Sequence, residues 1–178
     1  VVLVTGNTTV KGITIQAASQ SRTAAIGANA SDTSTGTITI EDVSLNQTSS
    51  GETNRGLNIQ APNMKPTVTG TNTITTSGSY GHGIYLSGSN DATISGTNTI
   101  TTSGDYGYGI YLNNGSNDAI ISGTNSITTS GDYGHGIWIR KSNNTTIPET
   151  NTITTSGAVS RGIIKVKAMG PSSMGMLF

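Results

Sequence analysis

The sequence predicts an all-β chain wound as a parallel β-helix, a solenoid of about six coils with three short strands in each. Three observations carry this reading. First, the phrase TNTITTSG at residues 71–78 returns at 97–104, as TNSITTSG at 124–131, and again as TNTITTSG at 150–157. Second, its central isoleucines, Ile74, Ile100, Ile127 and Ile153, are spaced 26, 27 and 26 residues apart, and two more apolar series keep step. One runs Leu57, Ile84, Ile110, Ile137, Ile163, and the other Val68, Ile94, Ile121, Ile147. Third, the apolar residues alternate with polar ones over three to five positions between Gly, Asn, Asp and Ser, which is strand punctuated by turns. No segment carries the 3.6-residue spacing of an amphipathic helix.

The unit at 93–118 shows the elements in order. Strands are expected at Thr93-Ile94-Ser95, at Thr99-Ile100-Thr101 and at Gly109-Ile110-Tyr111-Leu112, with turns at Gly96-Thr97-Asn98, Gly104-Asp105-Tyr106-Gly107 and residues 113–118. Repetition at a fixed period makes each unit one coil, with its strands about 4.8 Å from those of the coil before. Inward isoleucines then stack into ladders that form the core. Asn72, Asn98, Asn125 and Asn151 make a further series whose amides can bond from coil to coil. Upstream the pattern loosens: Ile15 and Leu45 extend the first series, Ile26 the second, and Val10 and Ile38 the third. The expected organisation is irregular coils over 1–66, regular coils of 26–27 residues over 67–168, and an apolar tail over 169–178.

Composition narrows the function classes. Nine Lys+Arg balance nine Asp+Glu in a chain of 178 residues, so formal net charge is zero. Nucleic acid and anionic membrane both reward a basic face, so neither is expected as a partner. No run of eighteen apolar residues is present to span a bilayer. Absence of cysteine removes disulfides, thiol chemistry and the usual zinc clusters. No signal peptide is visible, and the opening Val1-Val2-Leu3-Val4 without Met reads as a processed chain or an excised segment. Sequons at Asn7, Asn29, Asn46, Asn114, Asn143 and Asn144 are what chance gives in a chain with about thirty threonines.

The strings SNDATISGTNTITTSG and YGHGIYL, with GIYL, GIWI and GIIK closing strands, resemble the right-handed parallel β-helix repeat over residues 7–168. That repeat occurs in polysaccharide lyases and hydrolases and in microbial surface proteins, and the ITTSGDY–GI phrase most resembles autotransporter and adhesin-type passengers. The resemblance implies a right-handed β-helix, an extracellular or cell-surface location, and a structural or adhesive role. It leaves function to the site, because the repeat describes core and turns.

An enzyme of this architecture would need clustered acids, or a calcium-binding acid group with an arginine base. Among the nine acids, Asp91 and Asp118 are copies of one turn position, as are Asp105 and Asp132. Such acids suit turn chemistry, although stacked like charges could also attract calcium, with Asp105 and Asp132 the candidates. No HExxH or comparable constellation appears, and the only histidines, His82 and His135, copy one position. No catalytic residue is assigned. A polysaccharide-active lyase or hydrolase stands as the alternative.

Two surfaces are candidates for binding. Tyr85, Tyr111 and Trp138 occupy equivalent places in GIYL, GIYL and GIWI, alternating with inward residues, so an outward, exposed ladder of three rings is expected. His82, Tyr108 and His135 lie just before it, Tyr80, Tyr106 and Tyr133 before those, and Arg55 and Arg161 flank the stripe. Flat rings beside hydrogen-bonding groups suit a glycan or a protein partner; equally, they can support neighbouring strands. The second surface is a lattice of outward threonines: Thr73, Thr75, Thr99, Thr101, Thr128, Thr152 and Thr154. It resembles the ice-binding face of antifreeze solenoids, and threonine is also simply a good outward strand residue.

Open strand edges at the two ends need a cap or a neighbour, so the chain itself is a candidate partner, through end-to-end or lateral assembly. The whole reads as a non-catalytic extracellular structural or adhesive module, needing no cofactor beyond that weak calcium candidate.

Overall fold

The computed structural model describes residues 2–17, 24–48, 52–148 and 150–166. Among these are 18 strands and no helix, gathered into three parallel sheets of seven, five and six strands that wind as a β-solenoid of about six turns.

The first sheet takes Val2–Leu3, Ala24–Ala28, Arg55–Ile59, Ile84–Ser87, Ile110–Asn113, Ile137–Arg140 and Ile163–Val166. Thr8–Lys11, Gly36–Glu41, Met64–Thr69, Thr93–Ile94 and Ile120–Ile121 make the second sheet, and Ile120 is bridged onward to Thr146. The third is Thr14–Ala17, Ser44–Gln47, Thr71–Thr76, Thr97–Thr102, Thr124–Thr129 and Thr152–Thr155. Each coil thus visits the three sheets in turn.

Register follows the apolar series. Leu57, Ile84, Ile110, Ile137 and Ile163 are successive partners in the first sheet, and Leu45, Ile74, Ile100, Ile127 and Ile153 in the third. A one-residue slip would turn every isoleucine outward, so the buried face fixes the pairing. Full burial of such a side chain contributes roughly 1.5–3 kcal/mol; in the last coil Ile153 is only partly covered and Ile163 stays 49% exposed. One upstream expectation is corrected: Val10 pairs with Ile40, and Ile40 with Val68, whereas Ile38 lies across Thr8 and Pro66. Both Ile38 and Ile40 are buried. The two share parity, so spacing along the chain cannot tell which one continues the ladder.

The third-sheet strand is longer than expected, Thr97–Thr102 rather than Thr99–Thr101. The corner before it is only Ser95-Gly96. Gly96 has φ +75°, and a Cβ there would run into the Gly70 backbone of the preceding coil, so the corner needs glycine on both counts.

Within that strand Asn98, Ile100 and Thr102 point inward. The asparagines form a continuous chain: Asn72 Nδ2 donates to Asn98 Oδ1 (2.9 Å), Asn98 to Asn125 (2.7 Å) and Asn125 to Asn151 (2.6 Å). Each amide also donates to the carbonyl three residues before it, Thr69, Ser95, Ser122 and Pro148 respectively. The inward threonines Thr102 and Thr129 clamp the loop that follows, donating to the Gly107 and Gly134 carbonyls at 2.8 and 2.6 Å. Val1 and the tail 169–178 lie outside the described residues.

Candidate functional site: an aromatic groove on the first sheet

The loop from the third sheet back to the first, residues 103–109 in one coil, carries the sequence Ser-Gly-Asp-Tyr-Gly-Tyr-Gly. Its first tyrosine sits in the left-handed region, with φ 55° at Tyr106, and its copies Tyr80 and Tyr133 have φ 56°. A bulky residue there costs about 1 kcal/mol. The compensation is stacking: Tyr80, Tyr106 and Tyr133 form a column with centroids 4.9 Å apart and planes within 8°.

Two more columns run beside it. His82, Tyr108 and His135 stack at 4.7 and 5.3 Å. Tyr85, Tyr111 and Trp138 follow at 5.1 and 5.2 Å, the first pair tilted and the second stacked. Edge contacts such as Tyr108 on Trp138 at 4.6 Å join the columns. Nine rings on three coils thereby make one contiguous surface.

The expected ladder of exposed rings is corrected in one respect. Tyr85 is only 8% exposed, and His82, Tyr108 and His135 are buried as well, whereas Tyr111 and Trp138 are half-buried. These side chains do leave the barrel on its outer side, but the rings of the preceding loop fold over them. Solvent instead meets Tyr80 and Tyr133, at 45% and 42% exposure. Alternation gives the direction of a side chain and says nothing of what lies above it.

Between the columns runs a groove of about 510 Å³, lined by all of these aromatics except Tyr133 and His135, and by Arg55, Asn113 and Arg140. The Arg55 guanidinium lies 4.0 Å over the Tyr85 ring, a cation–π contact, and its Nη1 donates to Asn58 Oδ1 at 3.2 Å. Asn113 Nδ2 donates to the Tyr85 hydroxyl at 3.2 Å, and Arg140 Nη1 to Asn113 Oδ1 at 3.4 Å. Arg140 and Asn113 were not singled out in the sequence. Their signal was there: Ser87, Asn113 and Arg140 are successive partners, the position just after GIYL and GIWI.

Electrostatics keep the rings neutral. Burial holds His82 well below its usual value, helped by the Arg55 charge. Its Nδ1 accepts the Tyr108 backbone N–H at 3.1 Å, so the neutral ring keeps its proton on Nε2. His135 repeats the arrangement, accepting from Arg161 N at 3.1 Å, and burial followed by the Arg161 charge lowers it too. Burial raises the Tyr108 and Tyr111 phenols, with Arg140 opposing the rise at Tyr111.

The remaining candidates lie elsewhere. Asp105 Oδ1 accepts Asp132 N at 2.9 Å, and Asp132 Oδ1 accepts Ala158 N at 2.8 Å, so these acids tie one turn to the next. Among the described residues no group of three or more His, Asp or Glu side chains gathers to hold a metal. The threonines form the outer face of the third sheet. One column runs Thr14, Ser44, Thr73, Thr99, Ser126, Thr152, and the next Gln16, Asn46, Thr75, Thr101, Thr128, Thr154. No charge interrupts either. Lys11 and Glu41 pair with each other at 2.8 Å on the second sheet.

Fold and surface together define a parallel β-solenoid with an aromatic groove along one sheet. Compared with known proteins, the chain matches no family model, no curated protein and no solved structure.

Proposed function

We propose that this chain is a non-catalytic structural and adhesive module of the cell surface or extracellular space, and that its lateral groove binds glycan. One observation carries the reading: a groove of about 510 Å³ lined by seven aromatic rings, with amide and guanidinium donors among them. Sugar rings present C–H faces that pack on aromatic planes, while their hydroxyls take hydrogen bonds from neighbouring polar groups. Tyr111 and Trp138, half-buried, keep part of their ring surface open in the groove wall for such packing. The rings are held by each other and by sheet register, so little ordering is left to be done on binding.

The test is a glycan array and cell-binding assay with the Tyr111→Ala, Trp138→Ala double variant, its fold checked by circular dichroism. Binding should fall at least tenfold. Unchanged binding by a folded variant would overturn the assignment of the groove.

A second reading is favoured by the third sheet. Its outer face presents two uncharged, polar columns six coils long in strict register, a periodicity that suits an ordered surface such as ice.

A further inference from the structure

The groove holds positive charge with nothing opposite it. Arg55 stands at one end and Arg140 at the other, their backbones three coil steps apart, about 14 Å along the axis, with the side chains reaching toward each other, Arg55 over the Tyr85 ring and Arg140 to Asn113. No Asp or Glu lines the space between them. Among the described residues the ion pairs are Lys11 with Glu41 and Asp42, and Lys65 with Asp91, and neither groove arginine takes part. Their partners are neutral: Asn58 and the Tyr85 ring for Arg55, Asn113 for Arg140. Burial already draws Arg55 below its usual value. Two buried donors of groove residues, Arg55 Nε and Trp138 Nε1, also have no acceptor. In a chain of zero net charge this is a local excess of donors and of cation.

We infer that the groove takes an acidic saccharide, a glycan chain whose rings stack on Tyr111 and Trp138 and whose carboxylates pair with Arg140 and Arg55. The inference rests on the glycan reading above and specifies its ligand. A guanidinium presents parallel N–H donors that match a carboxylate in fork geometry, and its charge is poorly compensated by neutral amides and rings alone. A neutral glycan satisfies the ring faces but leaves both guanidinium charges unpaired. A nucleic-acid strand also stacks on rings, but one phosphate per nucleotide calls for a continuous basic track. Two arginines three coils apart suit a polymer with spaced charges.

Trp138 is the only tryptophan of the chain and lies in the groove wall, so its emission reads occupancy directly. The wild-type chain is titrated with a hexameric oligouronate, a neutral hexasaccharide and a thymidine hexanucleotide, at low and high salt. The uronate should bind at least tenfold more tightly than the neutral sugar and weaken as salt rises. Arg140→Gln should lose about tenfold in uronate affinity, a larger loss than it shows for the neutral sugar, so that the preference for the uronate shrinks, while Arg140→Lys, with charge but no fork, falls between. If the neutral hexasaccharide binds as tightly as the uronate, the acidic specificity is overturned and the glycan reading stands. If neither saccharide changes the emission, both are overturned. A thymidine strand that binds as tightly as the uronate also overturns the inference, showing a general anion site.

Discussion

Asn98→Ala tests whether the asparagine chain is a main support of the solenoid. Asn98 is 0% exposed and makes three hydrogen bonds, accepting from Asn72 and donating to Ser95 O and Asn125 Oδ1. Alanine removes all three. Asn72 keeps its bond to Thr69 O, but Asn125 Oδ1 and Ser95 O lose the donor that satisfied them. Each buried polar group left unsatisfied costs about 1–3 kcal/mol, so the variant should lose about 3–5 kcal/mol. That is a large part of the 5–15 kcal/mol typical of a domain. Asn151→Ala is the internal control. It ends the described chain of amides, is only half-buried, and its loss leaves Asn125 Nδ2 with the Ser122 carbonyl, so about 1 kcal/mol is expected. Urea titration followed by far-ultraviolet circular dichroism and Trp138 emission measures both. If Asn98→Ala falls within 1 kcal/mol of wild type, or if the two variants cost the same, the ladder is decoration on an apolar core. Separate transitions for the two probes would show that the coils unfold piecemeal, as a one-dimensional array can.

Two further outcomes can be checked. His82 stays neutral in the fold while its unfolded counterpart takes a proton below its ordinary value of 6.5. The unfolded state therefore binds more protons as pH falls, and stability drops by about 1.4 kcal/mol per unit below that point for such a histidine. Between pH 7.5 and 5.5 the urea midpoint should fall, and His82→Asn, which keeps an acceptor near the Tyr108 N–H, should lessen the slope; a flat profile in the wild type refutes the buried neutral histidine. For the third sheet, the ice reading expects thermal hysteresis at millimolar protein, abolished when Thr99→Tyr breaks the flat face, and absence of hysteresis in the wild type ends that reading.

What the chain declares and what it hides have one physical cause. A parallel solenoid repeats its environment every coil, so a residue type needed once is needed again at the same place. Ile74, Ile100, Ile127 and Ile153 could therefore be read as a buried column from spacing alone, and the asparagine chain with them. The same logic fails where the environment is not periodic. Ile38 and Ile40 both face inward, and only the pairing of Gly36–Glu41 with its neighbours decides that Ile40 continues the ladder. In the aromatic stripe, spacing gave the direction of Tyr85 but not the His82 ring and the Arg55 guanidinium that lie against it. Arg140 hid for the opposite reason. It is the one charged residue in a column that otherwise reads Ser87, Asn113 and Val166, so repetition disguised it as a strand-end position. In a repeat protein the core is legible in what recurs. The candidate site is written where the copies differ: arginine replaces asparagine at 140, tryptophan replaces tyrosine at 138, and the column of His82, Tyr108 and His135 begins at Arg55.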